Sequence, residues 1–128
     1  SAGIGCFFAS NFVEGITTKG SPLRRESPQW FGWMDNIYGK EFNHLMGGKS
    51  DIYALGDAAL KAGSPLPKIY HCIGTEDGGY QPAQLTRKYF EEKPGNPFSY
   101  RYEEGPGVHD WRFWDAHIEN CFRHFGLL

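Results

Sequence analysis

A carboxylate and an imidazole occupy two loops of this chain, each directly behind a stretch that predicts a β-strand. Glu76 and Asp77 follow the run KIYHCIG, and His109 follows the run FSYRYEE and a glycine-rich turn. A carboxylate bound to one ring nitrogen fixes the tautomer of a histidine and leaves the other nitrogen as a general base. Asp77 is preferred over Glu76 because its shorter side chain suits a fixed turn. The pair indicates nucleophilic or acid–base catalysis, while capping or simple solvation of each side chain is the structural alternative.

Two strands and two helices would have to position this pair. KIYHCIG is apolar on both faces, which is typical of a strand covered on both sides in a parallel sheet. Pro82 suits the first turn of the helix that follows, and FSYRYEE alternates as a second strand. Ligands bind beyond the carboxyl ends of parallel strands, so we expect Asp77 and His109 to meet at one edge. The last helix carries an apolar stripe expected to lie on the sheet: Trp111, Trp114, Ile118, Cys121, Phe122 and Phe125.

The chain is predicted to have two parts. Residues 1–50 are rich in Gly, Pro and Ser without a sustained period, which favours a loop-rich, lid-like or insertion-like segment after a sheet strand. Residues 51–128 predict first a helix that Asp51 caps and Gly63 ends, and then a strand–helix–strand–helix portion. The predicted fold class is therefore α/β, with parallel strands and flanking helices. His71, inside the first strand, is expected to be a packed or hydrogen-bonded core residue.

Composition narrows the classes of function. The 128 residues carry a net charge of −2, which gives no electrostatic case for nucleic acid or an anionic membrane as partner. No apolar run approaches the roughly 18 residues of a membrane span. Three cysteines without a C-x-x-C pair favour thiols in a reducing, cytoplasmic compartment over a disulfide framework or a zinc site. His117 and His124 share a helix, but nothing at ligand spacing completes a metal site, so a structural role is expected for both.

A nucleophile to match the pair is not evident in this sequence. No serine of the chain lies in G-x-S-x-G or between a strand and a helix, as a nucleophile elbow requires. Cys72 lies inside the first predicted strand, which is a poor position for a reactive thiolate. The order acid then histidine matches the last two members of the hydrolase order Ser, Asp, His. We therefore expect the nucleophile and the oxyanion hole outside this chain.

The stretches LPKIYHCIGTEDGGY and YRYEEGPGVHDWRFWDAHI resemble the C-terminal half of the esterase D-like branch of the α/β-hydrolases, and in it the bacterial tributyrin-type acetyl esterases. The resemblance covers about residues 51–128. It places the triad acid of the G-T-E-D stretch at Asp77 and the triad base of the G-x-H-[DE]-W stretch at His109. Gly78 and Gly79 depart from the bulky residues that often follow the acid. The resemblance also implies that the elbow serine lies upstream of Ser1.

The resemblance implies a truncated serine carboxylesterase that hydrolyses short-chain, acetyl-type esters without a metal or an organic cofactor. Its expected partners are a small-molecule ester substrate and the missing N-terminal half of the domain, with a homo-oligomer possible through uncovered apolar faces. Tyr80 and Trp111 are the candidate substrate-binding residues, and packing of the helix start is the alternative for Trp111. An S-formylglutathione hydrolase, an acetylxylan or feruloyl esterase, and a non-catalytic binding module stay open as alternatives.

Overall fold

A computed structural model describes residues 51–128 and, before them, positions 29, 32, 35, 36 and 47. The predicted loop-rich segment 1–50 therefore falls outside the described residues, apart from those five positions. The chain divides into two compact units, Phe8–Ser64 and Ser1–Phe7 with Pro65–Leu128. In chain order the described elements are α1 (Ile52–Ala62), β1 (Tyr70–Gly74), α2 (Tyr80–Glu91), β2 (Arg101–Gly105) and α3 (Trp111–Phe125).

Helix α1, in the first of these units, begins and ends at its predicted caps. The Asp51 carboxylate accepts hydrogen bonds from the backbone N–H groups of Tyr53 and Ala54, at 3.0 and 3.2 Å. At the other end Gly63 adopts a left-handed conformation, with φ of 63°. An acidic N-cap satisfies amide groups that have no partner inside the helix, and glycine enters the left-handed region without a Cβ clash. Both predicted boundaries are confirmed.

The second unit contains a two-stranded parallel sheet. Strands β1 and β2 pair in register from Tyr70 opposite Arg101 to Gly74 opposite Gly105. Helix α2 makes the crossover between them, as a parallel connection requires. The structure thus has the mixed helices and the parallel strand pair of a partial α/β fold, and the two strands end side by side. Side chains that follow these ends are brought to one edge.

The two helices that follow β1 and β2 lie on opposite faces of the sheet. Tyr102 and Glu103 are neighbours in β2, so their side chains point to opposite faces. Tyr102 accepts a hydrogen bond from Gln84 of α2 at 2.7 Å, whereas Glu103 bonds to Asn120 of α3 at 2.8 Å. The strands are therefore covered on both sides, as the apolar character of the first strand predicted.

An aromatic core lies between α2 and the sheet. The Phe90 ring stacks on the Tyr100 ring, with centroids 4.9 Å apart and planes 20° apart. The Tyr100 hydroxyl is hydrogen-bonded to Nδ1 of His71 at 2.8 Å. Burial lowers the pKa of His71 to about 4, so the imidazole is neutral at physiological pH. This histidine is a hydrogen-bonded core residue, as predicted. Among the residues that the structure describes, the buried hydrophobic side chains are Ala83, Phe90, Phe98 and Tyr100, together with Phe113 of α3.

The second strand begins later than its alternating sequence predicts. The prediction placed it over residues 98–104, but β2 starts at Arg101 and Ser99 has a φ of 45°. The reason is Asn96, whose side chain accepts from Tyr100 N at 2.7 Å and donates to Tyr100 O at 3.1 Å. These bonds hold the Tyr100 backbone in a turn. Its ring and that of Phe98 are buried, but neither residue belongs to the strand.

Only half of the apolar stripe predicted for α3 is covered, which corrects that prediction in part. Trp111, Ile118 and Phe122 are exposed, whereas Trp114, Cys121 and Phe125 are half-buried. The Glu103 carboxylate accepts hydrogen bonds from His117 and Asn120 of α3, which join the sheet to the helix, and a third from Tyr70 of β1. Burial alone would raise the pKa of Glu103, but these hydrogen bonds outweigh it and lower the pKa below its usual range. Periodicity identified an apolar face without showing which element covers it.

Gly74, at the end of β1, allows the backbone of the loop that follows β2 to approach closely. A Cβ at this position would lie 2.1 Å from the carbonyl oxygen of Gly107, whose own φ is 145°. Gly74→Ala must therefore separate the two loops, and we expect it to lower the free energy of unfolding by about 1–3 kcal/mol. Urea unfolding of the full gene product measures this. Gly78→Ala is the control, because a Cβ there meets nothing within 4 Å; equal losses in both variants would contradict the expectation.

Candidate functional site

Asp77 is held by the turn that directly follows β1. Its N–H donates to Gly74 O at 3.1 Å, and its Oδ1 accepts from Gly79 N at 2.7 Å. Only 5% of the Asp77 side chain is exposed. A short carboxylate fixed at one oxygen by the backbone has its second oxygen in a defined position. The turn therefore presents Oδ2 toward the loop that follows β2.

His109 lies on that neighbouring loop and meets Asp77. The distance from His109 Nδ1 to Asp77 Oδ2 is 2.9 Å, while 57% of the imidazole side chain is exposed. An ionised carboxylate only accepts hydrogen bonds, so Nδ1 carries the proton and donates. In the neutral ring Nε2 is then the unprotonated nitrogen with a lone pair. The two strand ends thus bring together the acid and the imidazole that the sequence singled out.

One tryptophan of α3 lies beside the imidazole, and a second tryptophan lies beside the first. The Trp114 ring meets the His109 ring edge to face, with centroids 5.0 Å apart and planes at 90°. Trp111, predicted to bind substrate, contacts Trp114 in the same manner at 5.1 Å and is 80% exposed. Trp111 thus packs against Trp114 at the start of α3, and its role in substrate binding stays a prediction. Trp114 was not identified as a site residue from the sequence; its spacing of five from His109 was the available signal.

Asp110 connects the histidine loop to α3. Its carboxylate accepts from Phe113 N at 3.1 Å and so caps the helix. Phe113 is buried, and its ring lies under Gly107, where a Cβ would come within 2.9 Å of it. The residue directly after His109 is thereby fixed by the helix, and the residues before it rest on a buried ring.

Tyr80, the other predicted substrate-binding residue, is tied to β2. Its hydroxyl donates to Glu104 Oε2 at 3.1 Å, and the Tyr102 hydroxyl donates to the same oxygen at 2.5 Å. These bonds lower the pKa of Glu104, with Tyr102 as the largest cause. The backbone N–H of Tyr80 donates to Asp77 O at 3.0 Å. Tyr80 is therefore hydrogen-bonded to the backbone of the acid, three residues before it, while its hydroxyl is bound to Glu104.

A cavity of about 310 Å³ runs along the start of α3, but His109 does not line it. Its walls include Val108, Arg112, Phe113 and His117. His117, in the wall of this cavity, is also hydrogen-bonded to a carboxylate, that of Glu103, but only 17% of its side chain is exposed, against 57% for His109. His109 is therefore the imidazole more accessible to a substrate. We therefore assign the candidate site to the loops that hold Asp77 and His109.

Other kinds of site were also considered for the described part of the chain. Among residues 51–128 and the five earlier positions, no group of three or more His, Cys, Asp or Glu side chains could hold a metal ion. His117, considered above as a ligand, is hydrogen-bonded to Glu103, and His124 packs against Tyr70. No described helix combines the length and apolar character needed to cross a membrane.

Comparison with known proteins relates this chain to an esterase. The chain is 32% identical over 92 residues to an acetyl esterase from Caldicellulosiruptor saccharolyticus. The matched region is 72% of this chain and 33% of the relative, so the chain spans about one third of that esterase. No family model matches the chain. The chain is thus distantly related to an esterase.

Proposed function

We propose that this chain supplies the acid and the base of a serine carboxylesterase that hydrolyses short-chain, acetyl-type esters. The observation that carries the proposal is the hydrogen bond from His109 to Asp77, at 2.9 Å, beyond the carboxyl ends of two paired parallel strands. The distant relationship to an acetyl esterase supports the same reaction and substrate class. Acid and base in this arrangement suit acyl transfer through an activated nucleophile.

In the proposed reaction a serine outside these 128 residues attacks the ester carbonyl. Nε2 of His109 takes the serine proton and then delivers it to the departing alcohol, while the acyl group stays on the serine as an ester. A water molecule, deprotonated by the same nitrogen, attacks the acyl-enzyme and releases the acid and the free serine. Asp77 keeps the proton on Nδ1 and stabilises the imidazolium that forms in each step.

A panel of substrates tests the proposed activity in the full gene product. We expect kcat/KM for p-nitrophenyl acetate and butyrate to exceed that for the octanoate by at least about tenfold, because a pocket for small acyl groups excludes longer chains. S-formylglutathione and methyl ferulate are measured beside them. A preference for either would reassign the substrate class within the hydrolases. Absence of hydrolysis of every ester would contradict the proposal and favour a binding module.

A further inference from the structure

Backbone hydrogen bonds join the loop after β1 to the loop after β2. They lie before Asp77 on the first loop and before His109 on the second. Thr75 N donates to Gly105 O at 2.9 Å, and Glu76 N donates to Gly107 O at 3.0 Å. The parallel ladder therefore continues past the last strand residues into both loops. Gly74 permits this approach, because any side chain there would collide with the Gly107 carbonyl.

Glu76 adds a side-chain contact at the same place. Its Oε2 accepts a hydrogen bond from the backbone N–H of Gly107. Gly107 is thus bound to Glu76 through both its N–H and its carbonyl group, two residues before His109. A carboxylate that accepts from a backbone amide forms a charge-assisted hydrogen bond, which is stronger than a neutral one.

We propose that Glu76 is a positioning residue for the general base: it fixes the Gly107 backbone, and through it the place of His109 against Asp77. The inference rests on the proposed function, since a base is positioned only if His109 is one. Adjacent carboxylates of one loop then have separate tasks. Asp77 orients the imidazole directly, and Glu76 fixes the loop that carries it.

The physical argument concerns the freedom of an exposed loop. His109 is more than half exposed, so few packing contacts restrain its ring. Its position depends on the hydrogen bond to Asp77, the contact with Trp114 and the path of the loop. A base that is misplaced by about 1 Å can lose roughly 100-fold in rate. Loss of the Glu76 carboxylate should therefore slow the chemical step without weakening substrate binding.

The experiment is a double-mutant cycle in the full gene product, with p-nitrophenyl acetate as substrate. We expect Glu76→Ala to lower kcat by about 10- to 100-fold with KM unchanged. Glu76→Gln keeps an acceptor oxygen and should recover most of that loss. In the His109→Ala background, Glu76→Ala should have no further effect on the residual rate, because the group through which it acts is absent. Glu92→Ala, on a surface ion pair with Lys88, is the matched control.

The outcomes distinguish a failure of the positioning role of Glu76 from a failure of the proposed function. If His109→Ala lowers activity but Glu76→Ala does not, the positioning role is wrong and the proposed function stands. If Glu76→Ala changes KM alone, if Glu76→Gln is as slow as the alanine variant, or if the losses add in the double variant, the positioning role is also wrong. If His109→Ala leaves activity intact, the proposed function itself fails, and the role of Glu76 fails with it.

Discussion

Replacing His109 by alanine is expected to lower kcat for p-nitrophenyl acetate by about 10⁴- to 10⁶-fold in the full gene product. Nε2 is the nitrogen left to take the proton of the nucleophile, because Nδ1 is bonded to Asp77 at 2.9 Å. Without an imidazole the nucleophile stays protonated and weak at neutral pH. Substrate binding does not require proton transfer, so KM should change little. Steady-state kinetics with the p-nitrophenolate signal measures both constants.

Val108→Ala is the matched control for this substitution. Val108 precedes His109 on the same loop and is 47% exposed, so its truncation removes largely exposed methyl groups and leaves the backbone hydrogen bonds of the loop in place. We expect its kcat to stay within about threefold of the wild type, since surface changes of this kind cost little. A His109→Ala variant that matches Val108→Ala in kcat would rule out His109 as the base.

Asp77→Asn is expected to lower kcat by roughly 10⁴-fold, close to the effect of losing the base. The substitution keeps the size of the side chain, and the amide oxygen can still accept from Gly79 N. Its NH₂ group then faces His109 Nδ1 and donates where the carboxylate accepted. The imidazole must present its Nδ1 lone pair to that donor, which moves the proton to Nε2. The tautomer that results cannot take a proton from the nucleophile.

The control for the aspartate is Asp115→Asn. Asp115 lies on the exposed side of α3, so its substitution makes the same chemical change away from the site. We expect wild-type kcat for this variant. Nitrogen-15 chemical shifts of the histidines check the cause independently, because they report which ring nitrogen carries the proton. Unchanged shifts at His109 in Asp77→Asn would contradict the tautomer explanation even if kcat fell.

Local rules were sufficient for much of the fold. The caps of α1 follow from Asp51 and Gly63 alone, since each acts within one turn of the helix. The parallel strand pair follows from the strand–helix–strand order. The start of β2 did not follow, because the Asn96 side chain accepts a hydrogen bond from the Tyr100 backbone, and the alternation of polar and apolar residues does not predict that bond. The hydrogen bond between Asn120 of α3 and Glu103 of β2 did not follow either, because it joins residues that are distant in sequence.

The candidate site, like the fold, was predictable in part from the sequence. Parallel strands bring the residues behind their carboxyl ends together, so the contact between Asp77 and His109 was an expected consequence of topology. The choice of Asp77 over Glu76 rested on side-chain length. The structure places Glu76 on the Gly107 backbone instead, a role that needs the approach of two loops and has no signal in spacing.

Covalent modification by a fluorophosphonate is the most direct test of the central claim, that Asp77 and His109 together activate a serine. Intact-mass spectrometry of the full gene product gives the rate of modification, and peptide mapping gives the modified residue. The account predicts one adduct per molecule on a serine outside these 128 residues, and a rate at least about 10³-fold lower in His109→Ala. Absence of a serine adduct in the wild type, or equal rates in the two proteins, would contradict it.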